Sequence, residues 1–179
     1  MLTNGARISR EELIKIQLGR IIMNERDEFF LRRAIQLAKQ AREDGQEPFG
    51  AVLVKNNDIV AEGGNQIYIT SDPTAHAENA LIRDYCQRNK LMHLEGYSLY
   101  CSTEPCMLCS GAVLCARITK IVFSVSQKML HKISGGTTKI DCRTLLKPYQ
   151  WIEIIGPALI EEGLKVFEGY QFEKSNLIS

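Results

Sequence analysis

Two short stretches of the chain carry the residue types that hold metals and move protons. Residues 74–78 include His76 and Glu78, and residues 103–109 include Cys106 and Cys109. One imidazole and two thiolates suit zinc, and a site with three protein ligands keeps a fourth position for water. Zinc lowers the pKa of that water, and a neighbouring carboxylate can move its protons. The two stretches together predict a hydrolytic zinc site.

Each half of this pattern has a simpler interpretation when it stands alone. A Cys-x-x-Cys pair is also a redox motif, but a thioredoxin-type pair needs no partner His-x-Glu. A structural zinc site is usually closed by four protein ligands, and only three are evident. His93 and His131 lie in polar, loop-like stretches, where an exposed histidine is the ordinary interpretation. A three-ligand catalytic site therefore explains the pattern best.

Composition excludes several other classes of protein. The chain has 179 residues, 45% of them hydrophobic and 24% charged, which is typical of one globular domain. Its 22 basic and 21 acidic residues give a net charge of +1, so no general field attracts nucleic acid or an anionic membrane. No apolar run is long enough to cross a bilayer, and the N-terminus has no secretory pattern. We expect a cytoplasmic protein whose six cysteines are reduced.

Periodicity and capping signals predict alternating helices and strands. The spacing of Ser9 and Glu12 predicts a helix within residues 1–22, which we interpret as an N-terminal helical extension of a domain formed by residues 23–179. A stronger helix starts at Asn24 and ends at Gly45. Further helices are expected at about 73–88, 106–116 and 159–170, with a helical turn at 142–145, and strands at 51–54, 59–61, 97–101, 118–125 and 151–155.

This order predicts an α/β fold with three α/β/α layers, in which a mixed five-stranded sheet has helices on both faces. Asp72 followed by Pro73 predicts the start of a helix that places His76 and Glu78 in its first two turns. Pro105 similarly introduces the helix on which the two cysteines of residues 103–109 share one face. Each reactive stretch is thus expected at the N-terminal end of its own helix.

The two stretches resemble the zinc deaminases of the cytidine deaminase-like superfamily, specifically the branch of guanine deaminases and tRNA adenosine deaminases. The resemblance extends from about Asp27 to Val125 and includes residues 48–52, 63–65, 72–78 and 102–106. It implies this fold, a homodimer, and one zinc ion per chain.

The resemblance also implies roles for individual residues. His76, Cys106 and Cys109 are expected to hold the zinc and Glu78 to shuttle protons. Asn65 is expected to hydrogen-bond the substrate ring, with a turn residue after the glycine pair as the alternative. Phe49 is expected to stack on the base, with plain core packing as the alternative, and Glu104 either supports the site by a hydrogen bond or only favours the helix start. We interpret three of the four remaining cysteines, Cys86, Cys101 and Cys115, as core residues.

Substrate choice depends on less direct signals. The last predicted helix has more acidic than basic residues, which disfavours RNA. Phe49 resembles the guanine deaminase pattern, and the segment after Ser126 departs from the Lys- and Gly-rich loop of the tRNA enzymes. We therefore expect a deaminase of a free nucleobase or small amino-heterocycle, guanine-like compounds first. The alternatives are a tRNA adenosine deaminase, a cytosine or nucleoside deaminase and, disfavoured by the complete reactive set, a non-catalytic binding protein. By the same resemblance, Tyr170 or Phe172 could close the site.

Overall fold

Five strands form one mixed sheet in the computed structural model, which describes residues 23–136 and 140–172. The strands are β1 (Gly50–Lys55), β2 (Asp58–Gly64), β3 (Tyr97–Thr103), β4 (Lys120–Val125) and β5 (Glu153–Ile155). The helices of the described residues are α1 (Glu25–Glu43), α2 (Ile67–Thr70), α3 (Ala77–Asn89), α4 (Met107–Cys115), α5 (Gln127–Ser134), α6 (Cys142–Leu146) and α7 (Ile160–Lys165). The predicted helix in residues 1–22 lies outside these ranges, so the N-terminal extension stays a prediction.

The sheet has the order β2-β1-β3-β4-β5. Strand β1 pairs antiparallel with both β2 and β3, whereas β3, β4 and β5 run parallel. The predicted mixed five-stranded sheet is confirmed, and the predicted strands at 51–54 and 59–61 form an antiparallel hairpin. Because β3 and β4 are parallel, their carboxyl ends share one edge, where Thr103 pairs with Val125. Crevices at such an edge are the usual ligand sites of α/β sheets.

Alternate residues of the central strands belong to two separate cores. Leu99 and Leu53 pack in a cluster with side chains of α3 and α4, while Tyr100 and Val52 pack with side chains of α1. All four are buried. The period of two along each strand therefore places helices on both faces, which confirms the three-layer α/β/α architecture.

A buried carboxylate fixes α1 to the sheet. Asp27 completes a capping box with Asn24, the N-cap residue that the sequence predicts. Its Oδ1 also accepts hydrogen bonds from the Tyr100 hydroxyl at 2.6 Å and the Lys120 ammonium at 2.9 Å. Tyr100 lies on β3 and Lys120 on β4, so one side chain links the helix to two central strands.

None of the described helices is long and apolar enough to cross a membrane.

The helix that follows the first reactive stretch begins later than predicted. It starts at Ala77, with His76 as its N-cap, rather than at Pro73. Asp72 instead closes a local turn, because its Oδ1 accepts hydrogen bonds from both the backbone amide and the hydroxyl of Thr74. Asp side chains often compete with helix formation in this way. His76 therefore lies just outside the helix.

Three other sequence expectations need correction. Residues 127–134 form α5, which the sequence interpretation did not predict, and the last helix ends at Lys165 rather than Tyr170. Cys101 is buried as predicted, but Cys115 is exposed and Cys86 only half-buried. Cys115 is the last residue of α4 and is exposed there, so an apolar residue type did not imply a core position.

Candidate zinc centre and active site

Two helix N-termini bring the predicted zinc ligands together. His76 is the N-cap of α3, Cys106 is the N-cap of α4, and Cys109 lies in the first turn of α4. His76 and Cys106 both have extended backbone conformations, as is usual for N-cap residues. The helix dipole favours negative ligands such as thiolates at this end.

The three donor atoms have the spacing that a zinc ion requires. His76 Nδ1 lies 3.4 Å from Cys106 Sγ and 3.7 Å from Cys109 Sγ, and all three atoms lie within 4.8 Å of one another. A tetrahedral zinc ion with bonds of about 2.3 Å to sulfur and about 2.0 Å to nitrogen separates such atoms by about 3.5 Å. The donor set and its spacing therefore fit one zinc ion per chain.

Hydrogen bonds inside this cluster shift the protonation of its members. The hydrogen bonds from Cys109 and from His76 lower the pKa of Cys106 to about 4, and the bond to Cys106 raises the pKa of His76 to about 9. The bond to Cys106 and burial raise the pKa of the Cys109 thiol well above its ordinary value. Zinc binds thiolates and neutral imidazole, so it competes with the protons on His76 and Cys109.

Glu78 lies beside the ligands in the first turn of α3. Only 8% of this residue is exposed, and its Oε2 accepts a hydrogen bond from Cys109 Sγ at 3.4 Å. Burial raises the pKa of its carboxyl group to about 7. The side chain is thus adjacent to the donor cluster and close to the balance between accepting and donating a proton, which is the property of a general acid and base.

A cavity of about 320 Å³ opens onto these residues. Its lining includes His76, Glu78 and Cys106 on one side and Phe49, His131 and Phe172 on others. This volume lies at the lower end of the range for small-molecule sites. A larger concavity of about 650 Å³ lies at the opposite end of β3, where two of its charged groups, Asp27 and Lys120, pair with each other.

Aromatic side chains form one wall of the cavity. Phe49 packs against Phe167, with ring centroids 5.9 Å apart, and against Phe172 at 6.4 Å. Tyr170 does not line the cavity but contacts Phe172 edge-on at 4.9 Å, and Arg42 lies over the Tyr170 ring. Phe49 therefore packs against other aromatic rings and also lines the cavity, and its stacking on a base stays a prediction.

Two buried polar atoms near the site have no hydrogen-bond partner among the described residues, Asn65 Nδ2 and Thr103 Oγ1. The other amide atom of Asn65, Oδ1, accepts from the Ile67 backbone at 2.9 Å, which fixes the side chain. Asn65 is 3% exposed and is not part of the cavity lining; Thr103 is 5% exposed and does line it. Buried donors usually find partners, so the Thr103 hydroxyl is available to a ligand in the cavity, whereas Asn65 Nδ2 is an unpartnered donor outside the cavity lining.

Several cavity residues are absent from the sequence predictions. Thr103 ends β3, and Gln127, Leu130 and His131 lie on α5. The sequence predicts His131 as an exposed loop residue, but it lies on a helix and is half-buried. Burial lowers the pKa of its imidazole. A signal for α5 exists in the sequence, because Ser126 caps the helix and Gly135 ends it, but eight residues are too few for a clear helical period.

The α/β/α fold, the three zinc donors and the adjacent buried glutamate define a zinc-dependent hydrolase that acts on C–N bonds. Sequence comparison makes the class more specific. The model of the cytidine and deoxycytidylate deaminase zinc-binding region matches residues 24–125, more than half of the chain. The chain belongs to this family of hydrolytic deaminases.

Relatives within the family are named for different substrates. The chain is 41% identical over 124 residues to a tRNA-specific adenosine deaminase of Aquifex aeolicus, covering 69% of this chain and 82% of that one. It is 33% identical over 155 residues to a probable cytosine deaminase of Schizosaccharomyces pombe, covering 83% and 94%. The solved guanine deaminase of Bacillus subtilis is 31% identical, with a TM-score of 0.57, covering 87% and 100%.

Proposed function

We propose that this protein deaminates a free nucleobase or small amino-heterocycle, with guanine-like compounds as the favoured class. The observation that carries the proposal is the shape of the cavity, which is small and is bounded by Phe49, Phe172 and α5 as well as by the zinc donors. A nucleotide within a folded RNA needs an open approach for its backbone, whereas a planar base needs only an apolar slot with a few polar contacts.

The charged residues near the last helix also favour a free base over RNA as the substrate. Arg32 forms an ion pair with Glu162 at 3.2 Å, and Arg42 donates to the backbone oxygens of Val166 and Glu168. These cations are therefore engaged within the protein. RNA recognition relies on Lys and Arg side chains that are available to phosphates.

In this proposal each residue at the site has a defined task. His76, Cys106 and Cys109 would hold a zinc ion, which when bound would lower the pKa of a water towards neutral pH. Glu78 takes one proton from the attacking water and passes it to the ring nitrogen beside the reacting carbon, and then carries the remaining hydroxyl proton to the departing amine. Water adds to the carbon that bears the exocyclic amine, the C–N bond breaks, and the products are a ring carbonyl and ammonia.

Three further residues are proposed to recognise the substrate. Phe49 and Thr103 line the cavity, so the Phe49 ring is proposed to stack on the base and Thr103 Oγ1 to hydrogen-bond its polar edge. Asn65 Nδ2 is proposed as a further donor to that edge, although Asn65 lies outside the cavity lining. The support for the last two is their burial without a partner among the described residues. The homodimer and the cytoplasmic location expected from the sequence stay predictions.

Deamination of adenosine in tRNA is the second candidate, favoured by the 41% identity to the Aquifex aeolicus enzyme. A substrate screen separates the two. Ammonia release is measured with guanine, other aminopurines, cytosine and small amino-heterocycles, beside inosine formation in an anticodon stem-loop, with Glu78→Gln protein as the blank. We expect turnover of a free base of the aminopurine class. Inosine formation without turnover of any free base would reject the proposal in favour of the second candidate.

The unpartnered hydroxyl of Thr103 gives a prediction about affinity. Thr103→Val keeps the shape of the side chain and removes one hydrogen bond to the substrate, so kcat/KM is expected to fall about tenfold. The melting temperature should be unchanged or higher, because no bond within the described protein is lost. Steady-state kinetics and thermal unfolding measure the two effects.

Thr119→Val is the matched control for this variant. The Thr119 hydroxyl donates to the Tyr97 carbonyl at 3.3 Å, and Thr119 is not part of the cavity lining. This substitution should lower stability slightly and leave kcat/KM unchanged. If Thr103→Val behaves in the same way as the control, Thr103 does not contact the substrate.

A further inference from the structure

One buried carboxylate connects the zinc-ligand helix to the opposite wall of the cavity. Glu104 lies between β3 and α4, two residues before Cys106, and is only 4% exposed. Its Oε2 accepts a hydrogen bond from the Gln127 backbone amide at 2.8 Å, and its Oε1 accepts from the Cys142 backbone amide at 3.1 Å. Gln127 is the first residue of α5, and Cys142 is the first residue of α6.

The bond to Gln127 is reinforced by the backbone of Glu104. The Gln127 side-chain amide donates to the Glu104 carbonyl oxygen at 2.6 Å, and the Glu104 amide donates to the Val125 carbonyl at 2.7 Å. Gln127 is 7% exposed and Cys142 is 1% exposed, so these hydrogen bonds are largely shielded from water. Hydrogen bonds in such surroundings are costly to leave unmade.

The two anchored residues are the two ends of one segment. Between them lies α5, whose Leu130, His131 and Ser134 line the cavity opposite the zinc donors. The same side chain therefore holds the first residue of α5 and the first residue of α6, the next helix along the chain. We define the described residues of this part of the chain, 127–136 and 140–142, as the cavity wall segment.

We propose that Glu104 is a positioning residue that sets the distance between the cavity wall segment and the zinc centre. It acts through Gln127 and Cys142 and does not need to touch the substrate. The inference rests on the proposed function in one respect, namely that the substrate binds in this cavity. Its consequence is that substrate affinity depends on a side chain whose hydrogen bonds all lie within the protein.

A carboxylate can hold both ends, whereas an amide cannot. Each Glu104 oxygen accepts from a backbone N–H, and a glutamine offers one accepting oxygen and one NH₂ group. In Glu104→Gln the NH₂ group would face a backbone donor, so one end of the cavity wall segment is released while the side-chain volume is kept. This substitution therefore tests positioning with little change in packing.

The experiment uses the full chain loaded with zinc. Glu104→Gln is expected to raise KM for the substrate found by the screen at least about tenfold, with kcat within about twofold and one zinc per chain retained. Amide hydrogen exchange within the cavity wall segment should rise at least about tenfold, while exchange in β1 and β3 is unchanged. The exchange measurement needs no substrate, so it judges the anchoring even if the proposed substrate class is wrong.

Tyr100→Phe is the control for a purely structural role. It removes the hydrogen bond to Asp27 on the other face of the sheet and should lower stability without changing KM. If Glu104→Gln likewise lowers only stability, or lowers kcat with KM and local exchange unchanged, the positioning role is rejected. Should Glu104→Gln not fold, Glu104→Asp keeps the charge but is too short to reach both amides, and the same KM and exchange criteria decide.

Discussion

Glu78→Gln is expected to lower kcat for the best substrate about 1000-fold and to leave one zinc ion bound per chain. The amide has almost the size and shape of the carboxyl group, so the donors His76, Cys106 and Cys109 keep their positions. It cannot accept the proton of the attacking water, however, and cannot pass one to the leaving amine. The loss should therefore appear in kcat, with KM changing little.

Stability distinguishes this loss from unfolding. Glu78 is 8% exposed and burial raises the pKa of its carboxyl group, so the fold does not depend on the ionised form. The melting temperature of Glu78→Gln should equal or exceed that of the wild type, as is common when a functional buried acid is neutralised. Zinc content, kcat and thermal unfolding are measured on the same preparation.

Glu161→Gln provides the matched control, because it makes the same chemical change at an exposed position of α7. It should leave kcat, zinc content and melting temperature within error of the wild type. Full activity of zinc-loaded Glu78→Gln protein would exclude Glu78 as the proton shuttle and direct attention to other titratable cavity residues such as His131.

The second large effect is expected at the metal. Cys109→Ser replaces a thiolate by a hydroxyl group, which is a much poorer zinc ligand, so the purified variant should contain little zinc and lose at least about 1000-fold in kcat/KM. Its melting temperature should fall to that of wild-type protein treated with a chelator, because zinc bound only to the folded state stabilises that state. Zinc analysis, kinetics and thermal unfolding give the three readouts.

Helix α4 itself contains the control for this substitution. Cys115→Ser changes the same atom on the same helix, but Cys115 is exposed and remote from the donor set. This variant should keep one zinc per chain and normal activity. Adding Zn²⁺ should restore chelated wild-type and Cys115→Ser protein but not Cys109→Ser. Retention of zinc and activity by Cys109→Ser would remove Cys109 from the ligand set.

The elements that sequence predicted well are those with a local signal. Helix α1 carries its own capping box at Asn24 and a long apolar period, and the hairpin of β1 and β2 carries its own turn. The start of α3 was wrong because two local signals compete at Asp72, whose side chain satisfies Thr74 instead of starting a helix. Helix α5 was missed because eight residues give a weak period and its stability comes from packing.

The sequence by itself determined the reactive groups of this protein. His76 and Glu78 are two positions apart, and Cys106 and Cys109 are three apart, so each pair is set by the geometry of a single helix start. That the two pairs meet was a well-founded expectation, because the combination has few other uses. The zinc chemistry could therefore be predicted from the order and spacing of four residues.

Only the tertiary structure decided what surrounds those groups. Thr103 is buried with a hydroxyl that has no partner among the described residues, and Glu104 finds its partners 23 and 38 positions later in the chain. Contacts over such separations have no local period and no spacing rule, since they depend on how β4, α5 and α6 fold back over the site. Substrate recognition is consequently a property of the fold, whereas the metal chemistry is a property of two short stretches of sequence.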